Sequence, residues 1–134
     1  MKILIDTNIL ISSVLFPNSK IAKVVLYVSD YYEIVLTKQI IDEFRRIIEK
    51  KFCSKIKESE ELLNELEFEL LDDNYLEKIK IRDPNDQIIL NSAVENNVDY
   101  LLTGDKDFLV LNIQNPKCVS INEMIEILNI KIKV

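Results

Sequence analysis

Four acidic residues, far apart in the chain, stand where apolar stretches end or turn. Ile3-Leu4-Ile5 runs into Asp6, and Tyr100-Leu101-Leu102 runs through Thr103-Gly104 into Asp105. Asp83-Pro84-Asn85-Asp86 opens an apolar segment, and Glu43 shares a helical face with Ile40 and Ile47. Gathered in one place, such carboxylates repel: two unit charges about 4 Å apart cost around 4 kcal/mol at an effective dielectric of about 20. A hard divalent cation relieves that repulsion, and all-oxygen ligands suit Mg²⁺ or Mn²⁺. The chain has no histidine, and Cys53 and Cys118 are too far apart for a metal knuckle or a disulfide framework, so zinc is disfavoured. Carboxylate-held metal is then one of the few hydrolytic chemistries open to it.

Each acid also has an ordinary explanation. Asp6 and Asp83 read as helix N-caps, and Asp105 or Asp107 as the cap of a short helix. Asp86 falls in a first turn, where a negative charge favours the helix dipole. Glu43 is harder to explain, because an ionised carboxylate on an apolar face needs a cation and no Lys or Arg shares its stripe. Gly104, the single glycine, is expected to make a tight turn at positive φ and to let backbone approach a ligand.

The elements that must position these acids read as alternating strands and helices. Lys2–Ile5 is a short buried strand, followed at once by a helix over Thr7–Leu15 that Pro17 stops. Asn18-Ser19 caps a second helix with the stripe Ile21, Val24, Val25 and Val28. Glu33–Leu36 is a second strand, and Thr37 caps a long helix that buries Ile40, Ile41, Phe44, Ile47 and Ile48. A further helix is expected over Lys55–Leu70 with Leu62, Leu63, Leu66 and Leu70 inward, then a weak strand or extended link at Ile79–Ile81. Asp83 caps the next helix, with Pro84 at its first position, running to about Asn97. Val98–Leu102 reads as a strand, Asp105–Leu111 as a short helix and Cys118-Val119 as a last strand. Ser120 and Glu123 form a capping box for a final helix with stripe Ile121, Met124, Ile125 and Leu128. Lys131-Ile132-Lys133-Val134 alternates and is a strand or a tail. Strands alternating with helices predict a mostly parallel sheet between helical layers, with right-handed crossovers. Asp6 and Asp105, both just past parallel strands, would then point to the carboxyl rim where open α/β sheets bind ligands.

With 134 residues and one Gly, the chain reads as one domain over 1–134 without a flexible linker. No run is apolar enough for a membrane span, and the early Asp6 argues against a signal peptide, so a cytoplasmic protein is expected. The net charge of −6 disfavours a nucleic-acid partner when taken alone. Its distribution is uneven: Lys38–Lys57 holds seven basic and three acidic residues, whereas Glu58–Glu77 holds nine acidic and no basic ones.

The segments Ile5-Asp6-Thr7-Asn8, Glu43 in its long helix, Asp83-Pro84-Asn85-Asp86 before Ala93, and Leu102-Thr103-Gly104-Asp105-Lys106-Asp107-Phe108 together resemble the PIN-domain ribonucleases. The resemblance spans nearly the whole chain. It is closest to the bacterial and archaeal branch regarded as toxin components of toxin–antitoxin pairs. It implies a three-layer α/β/α sandwich, with Asp6, Glu43, Asp86 and Asp105 as metal ligands and catalytic acids. Asp107 becomes a nearby acid of variable role, and Asn8 and Thr103 polar supports. It also implies metal-dependent cleavage of RNA, an antitoxin partner and a homodimer. Placing the ligand at Asp86 rather than Asp83 follows from Ile89 and Ala93, which continue from it as in the family. The basic segment offers Arg45, Arg46, Lys50 and Lys51 to the RNA backbone. Two other readings compete. An aspartyl-phosphate phosphohydrolase would use Asp6, but Asn8 stands where its second acid belongs, and Lys106 is the one lysine placed to help. A non-catalytic PIN-like scaffold is disfavoured because all four acids are present.

Overall fold

Consecutive burial, rather than alternation, marks the strands: Ile3, Leu4 and Ile5 are each 0 % exposed, so their sheet is covered on both faces. A computed structural model describes residues 1–132. Strand β1 is Lys2–Ile5, β2 Glu33–Thr37, β3 Glu69–Leu71, β4 Tyr100–Leu102 and β5 Lys117–Val119. They form one parallel sheet in the order β3-β2-β1-β4-β5. The helices are α1 (Thr7–Leu15), α2 (Lys20–Tyr31), α3 (Lys38–Lys51), α4 (Ile56–Leu66), α5 (Pro84–Glu95), α6 (Lys106–Leu109) and α7 (Ile121–Leu128). The expected three-layer α/β/α architecture with a parallel sheet is what the chain adopts.

The strand order has one consequence for chemistry. The chain winds outward from β1 through β2 to β3, then returns to place β4 on the other side of β1. The carboxyl ends of β1 and β4 therefore flank the switch point, where such sheets bind ligands. Ile5 pairs with Leu102, so Asp6 and Thr103 continue side by side beyond them. The Asp6 amide donates to the Leu102 carbonyl at 3.0 Å, and the Thr103 amide to that of Val119 at 3.0 Å.

Helix starts follow the caps read from the sequence. Ser19, Thr37 and Asp83 each accept backbone N–H bonds through their side chains, and Ser120 with Glu123 closes a full capping box. Three expectations need correction. The helix expected over Lys55–Leu70 ends at Leu66, because Glu67 turns to φ 46, and the next residues form β3. Leu70, expected inward, is 57 % exposed, and Leu71 takes the buried place instead. Ile79–Ile81, expected as a weak strand or a link, is a link, and Ile81 is buried. The strand expected from Val98 begins at Tyr100, since Asn97 turns to φ 54 and the Val98 amide still bonds back to Ala93. Of the chain end, Lys131 and Ile132 have no regular structure, and residues 133–134 lie outside the described ones. Among the described residues no single helix is long and apolar enough to cross a membrane.

Gly104 also departs from expectation. It does not occupy positive φ, and a Cβ built on it meets nothing within 4 Å. Gly104→Ala is thus expected to keep the fold and to raise stability by about 0.4–1 kcal/mol, through a less flexible unfolded chain. Thermal melts check this; a clear drop in melting temperature would mean the turn needs glycine after all.

Candidate metal centre

Every acid singled out from the sequence opens onto one cavity of about 170 Å³, lined by Asp6, Thr7, Asn8, Glu43, Asp83, Asn85, Asp86, Asp105 and Asp107. Four elements deliver them. Asp6 leaves β1 and caps α1, Glu43 comes from the second turn of α3, Asp86 from the first turn of α5, and Asp105 and Asp107 from the start of α6. Asp83 caps α5 as expected, accepting from the Asn85 amide at 2.7 Å, yet it faces the cavity as well. From the sequence Asp83 is expected only as the cap, Asp86 being preferred to it as the ligand, and no charge marks Thr7 or Asn85.

A hydrogen-bond chain ties the strand-end acids together. Thr103, 0 % exposed, donates its hydroxyl to Asp6 Oδ2 at 2.7 Å and accepts the Asp105 amide at 3.0 Å. Asp6 Oδ1 accepts the Thr7 amide at 2.8 Å, and Asp105 Oδ1 accepts the Asp107 amide at 2.9 Å. Asp107 Oδ2 in turn accepts from Arg82 Nη2 at 2.9 Å. Asn8 lies exposed on the rim. The Thr7 hydroxyl is buried without a partner among the described residues, an orphan polar atom of the kind a bound group or water satisfies.

Asp86, Asp105 and Asp107 approach most closely, each offering one carboxylate oxygen within 4.8 Å of the others'. Asp6 and Glu43 line the same cavity outside this trio. Crowding shows in the proton affinities. Burial, and then the charges of Asp105, Asp83 and Asp6, push the Asp86 carboxyl up to about 7. Burial raises Asp6 too, against the opposing bonds from Thr103 and Thr7. Glu43 is raised by burial and by Asp6, while Arg46 favours its charge, so the expectation that no cation shares its face does not hold, because Arg46 stands one turn further along α3. Such a set, all oxygen and short of positive charge, fits a hard divalent cation. Sulfur does not compete, because no cysteine is among the described residues lining the cavity, and burial pushes the Cys118 thiol up to about 12.

The basic residues offered to RNA divide. Arg45 is committed to Glu60 on α4 by two bonds of 2.8 and 3.1 Å. Arg46, Lys50 and Lys51 are exposed, and Arg46 acts on Glu43. Lys106 is exposed and outside the cavity lining, and Asp6 is 6 % exposed with both oxygens engaged. That is a poor setting for an aspartyl-phosphate nucleophile.

The family model of the PIN domain matches residues 2–107, which span every acid of the cavity. The chain belongs to the PIN-domain family. No curated protein matches it in sequence. A PIN-like fold is also found in a solved chain described as "VapBC2 from Rickettsia felis bound to a DNA fragment from their promoter". The two superpose with a TM-score of 0.70 at 16 % identity, over 90 % of this chain and 98 % of that one. In this PIN domain the switch point of the sheet and the acid cavity coincide.

Proposed function

We propose that this PIN domain is a metal-dependent endoribonuclease that hydrolyses RNA phosphodiester bonds, as the toxin of a toxin–antitoxin pair. The observation that carries the reading is the half-buried trio Asp86, Asp105 and Asp107 inside an all-acid cavity at the switch point. These three would hold Mg²⁺ or Mn²⁺, with Asp6 completing the negative wall. Such an ion supplies Lewis-acid polarisation of the phosphate and lowers the pKa of water. The chain's own residues do the rest. Thr103 fixes Asp6 and Asp105 in register, Asp105 fixes the start of α6 and hence Asp107, and Thr7 donates its amide to Asp6. Glu43 lies outside the trio, and its raised proton affinity suits it to accept the proton of the attacking water. Arg46, Lys50 and Lys51 flank it along α3 to meet the RNA backbone.

The antitoxin is supported by the resemblance to toxin components and by the VapBC2 neighbour. Its place would be the groove of about 240 Å³ between α1, α2 and α4. Val14, Leu26 and Leu62 give that groove an apolar floor, and Glu58, Glu61 and Glu65 an acidic edge, a pattern that suits a basic amphipathic segment. The resemblance also carries a homodimer and a cytoplasmic setting into the proposal. The test is purified protein with end-labelled single-stranded and hairpin RNA, in Mg²⁺, in Mn²⁺ and in EDTA. Cutting with either metal and none in EDTA is expected. Cutting that persists in EDTA, or that no RNA elicits, overturns the proposal.

A further inference from the structure

We propose that Arg82 receives a backbone phosphate of the substrate at the mouth of the acid cavity, and that Asp107 holds its guanidinium ready there. The inference rests on the reading of the chain as an RNA phosphodiesterase and adds a substrate-binding residue to it. None of the described residues lining the cavity is basic, yet the substrate is a polyanion. Beyond the metal and the cations of α3, a cation at the entrance draws phosphate toward the acids.

Arg82 occupies that position. It directly precedes the α5 cap, and its Nη2 bonds to Asp107 Oδ2 at 2.9 Å, on a residue of the cavity wall. Its side chain is 85 % exposed, so the remaining N–H donors of the guanidinium face solvent. The carboxylates of Asp107, Asp83 and Asp105 all favour its positive charge. An exposed ion pair of this kind contributes little to stability. Exchanging the carboxylate for a phosphate therefore costs little, and the planar fork of Arg suits two phosphate oxygens. Arg45, by contrast, is held through two bonds to Glu60.

The experiment is steady-state cleavage of labelled single-stranded RNA with Mg²⁺ over a salt series, for wild type, Arg82→Ala and Arg82→Lys. Calorimetric titration of Mn²⁺ without RNA accompanies it. Arg82→Ala is expected to raise KM about tenfold with kcat within about twofold, and to make log kcat/KM about one unit less steep in log salt. Arg82→Lys should restore the salt slope and only part of KM, because it keeps the charge and loses the fork. Because the pair is solvent-exposed and weak, Mn²⁺ affinity should stay within about threefold of wild type in both variants, well short of the 10–100-fold that loss of a ligand's supporting partner costs. A wild-type KM and salt slope in Arg82→Ala would reduce the residue to a surface ion pair. A fall in kcat and Mn²⁺ affinity at constant KM would make it a positioning residue for Asp107, and so also overturn the proposal. Should wild type bind Mn²⁺ but cut no RNA, the ribonuclease reading itself fails, and this inference with it.

Discussion

Replacing Asp86 by Asn is expected to cut RNA cleavage by more than the 10–100-fold that loss of a mere supporting partner costs. The same change should raise the melting temperature of the metal-free protein at neutral pH by a few degrees. The two effects share one cause. Burial and the charges of Asp105, Asp83 and Asp6 raise the Asp86 carboxyl from 3.8 to about 7. A carboxyl raised on folding binds its proton more tightly in the native state, so its contribution to stability is complete below about pH 4 and is lost as pH rises through about 7. Without metal, the wild type should melt lower at about pH 8 than at about pH 5. Asp86→Asn removes its own part of that slope and leaves the parts due to Asp6 and Glu43, which are raised as well. A cation must displace the Asp86 proton, so metal affinity should weaken as pH falls below about 7. Melts in EDTA at both pH values, alongside cleavage in Mg²⁺, decide the matter. Lower melting at every pH with cleavage intact would make Asp86 an ordinary first-turn acid.

Thr103→Val should damage both the fold and the reaction. The hydroxyl is buried between two groups that have no replacement: it donates to Asp6 Oδ2 at 2.7 Å and accepts the Asp105 amide at 3.0 Å. Val fills the same space but leaves a carboxylate oxygen and an N–H unpaired, at about 1–3 kcal/mol for each group. Activity should fall about 10–100-fold, the usual cost of freeing a ligand from its support. Thr103→Ser keeps the hydroxyl and should retain most of the activity, losing about 1 kcal/mol for one methyl. Denaturant melts and initial rates on the two variants separate the cases. Equal behaviour of Val and Ser would show that the hydroxyl chain does not hold the site.

Much of this was readable in the chain because the signals are local. The cap residues Ser19, Thr37, Asp83 and Ser120 announced their helices, and the unbroken apolar runs of β1 and β4 announced strands covered on both faces. Acids at the ends of such strands could be assigned to one rim from the parallel pattern alone. What escaped depends on the finished fold. Leu62, Leu63, Leu66 and Leu70 keep helical spacing, so nothing marked the break at Glu67, where a non-glycine residue turns left-handed without a Gly or Pro nearby. Three-residue β3 is recognisable only from its pairing with β2. Gly104 suggested a strained turn that the chain does not make. Arg82 carries no signal of its own in the sequence, since its contact with Asp107 spans 25 positions.

If the cavity at the ends of β1 and β4 holds a divalent cation, anomalous scattering from a crystal soaked in Mn²⁺ will reveal it there. A peak bounded by the carboxylates of Asp86, Asp105 and Asp107 is expected, at metal–oxygen distances of about 2.1 Å. A peak elsewhere, or an empty cavity at millimolar Mn²⁺, would contradict that expectation.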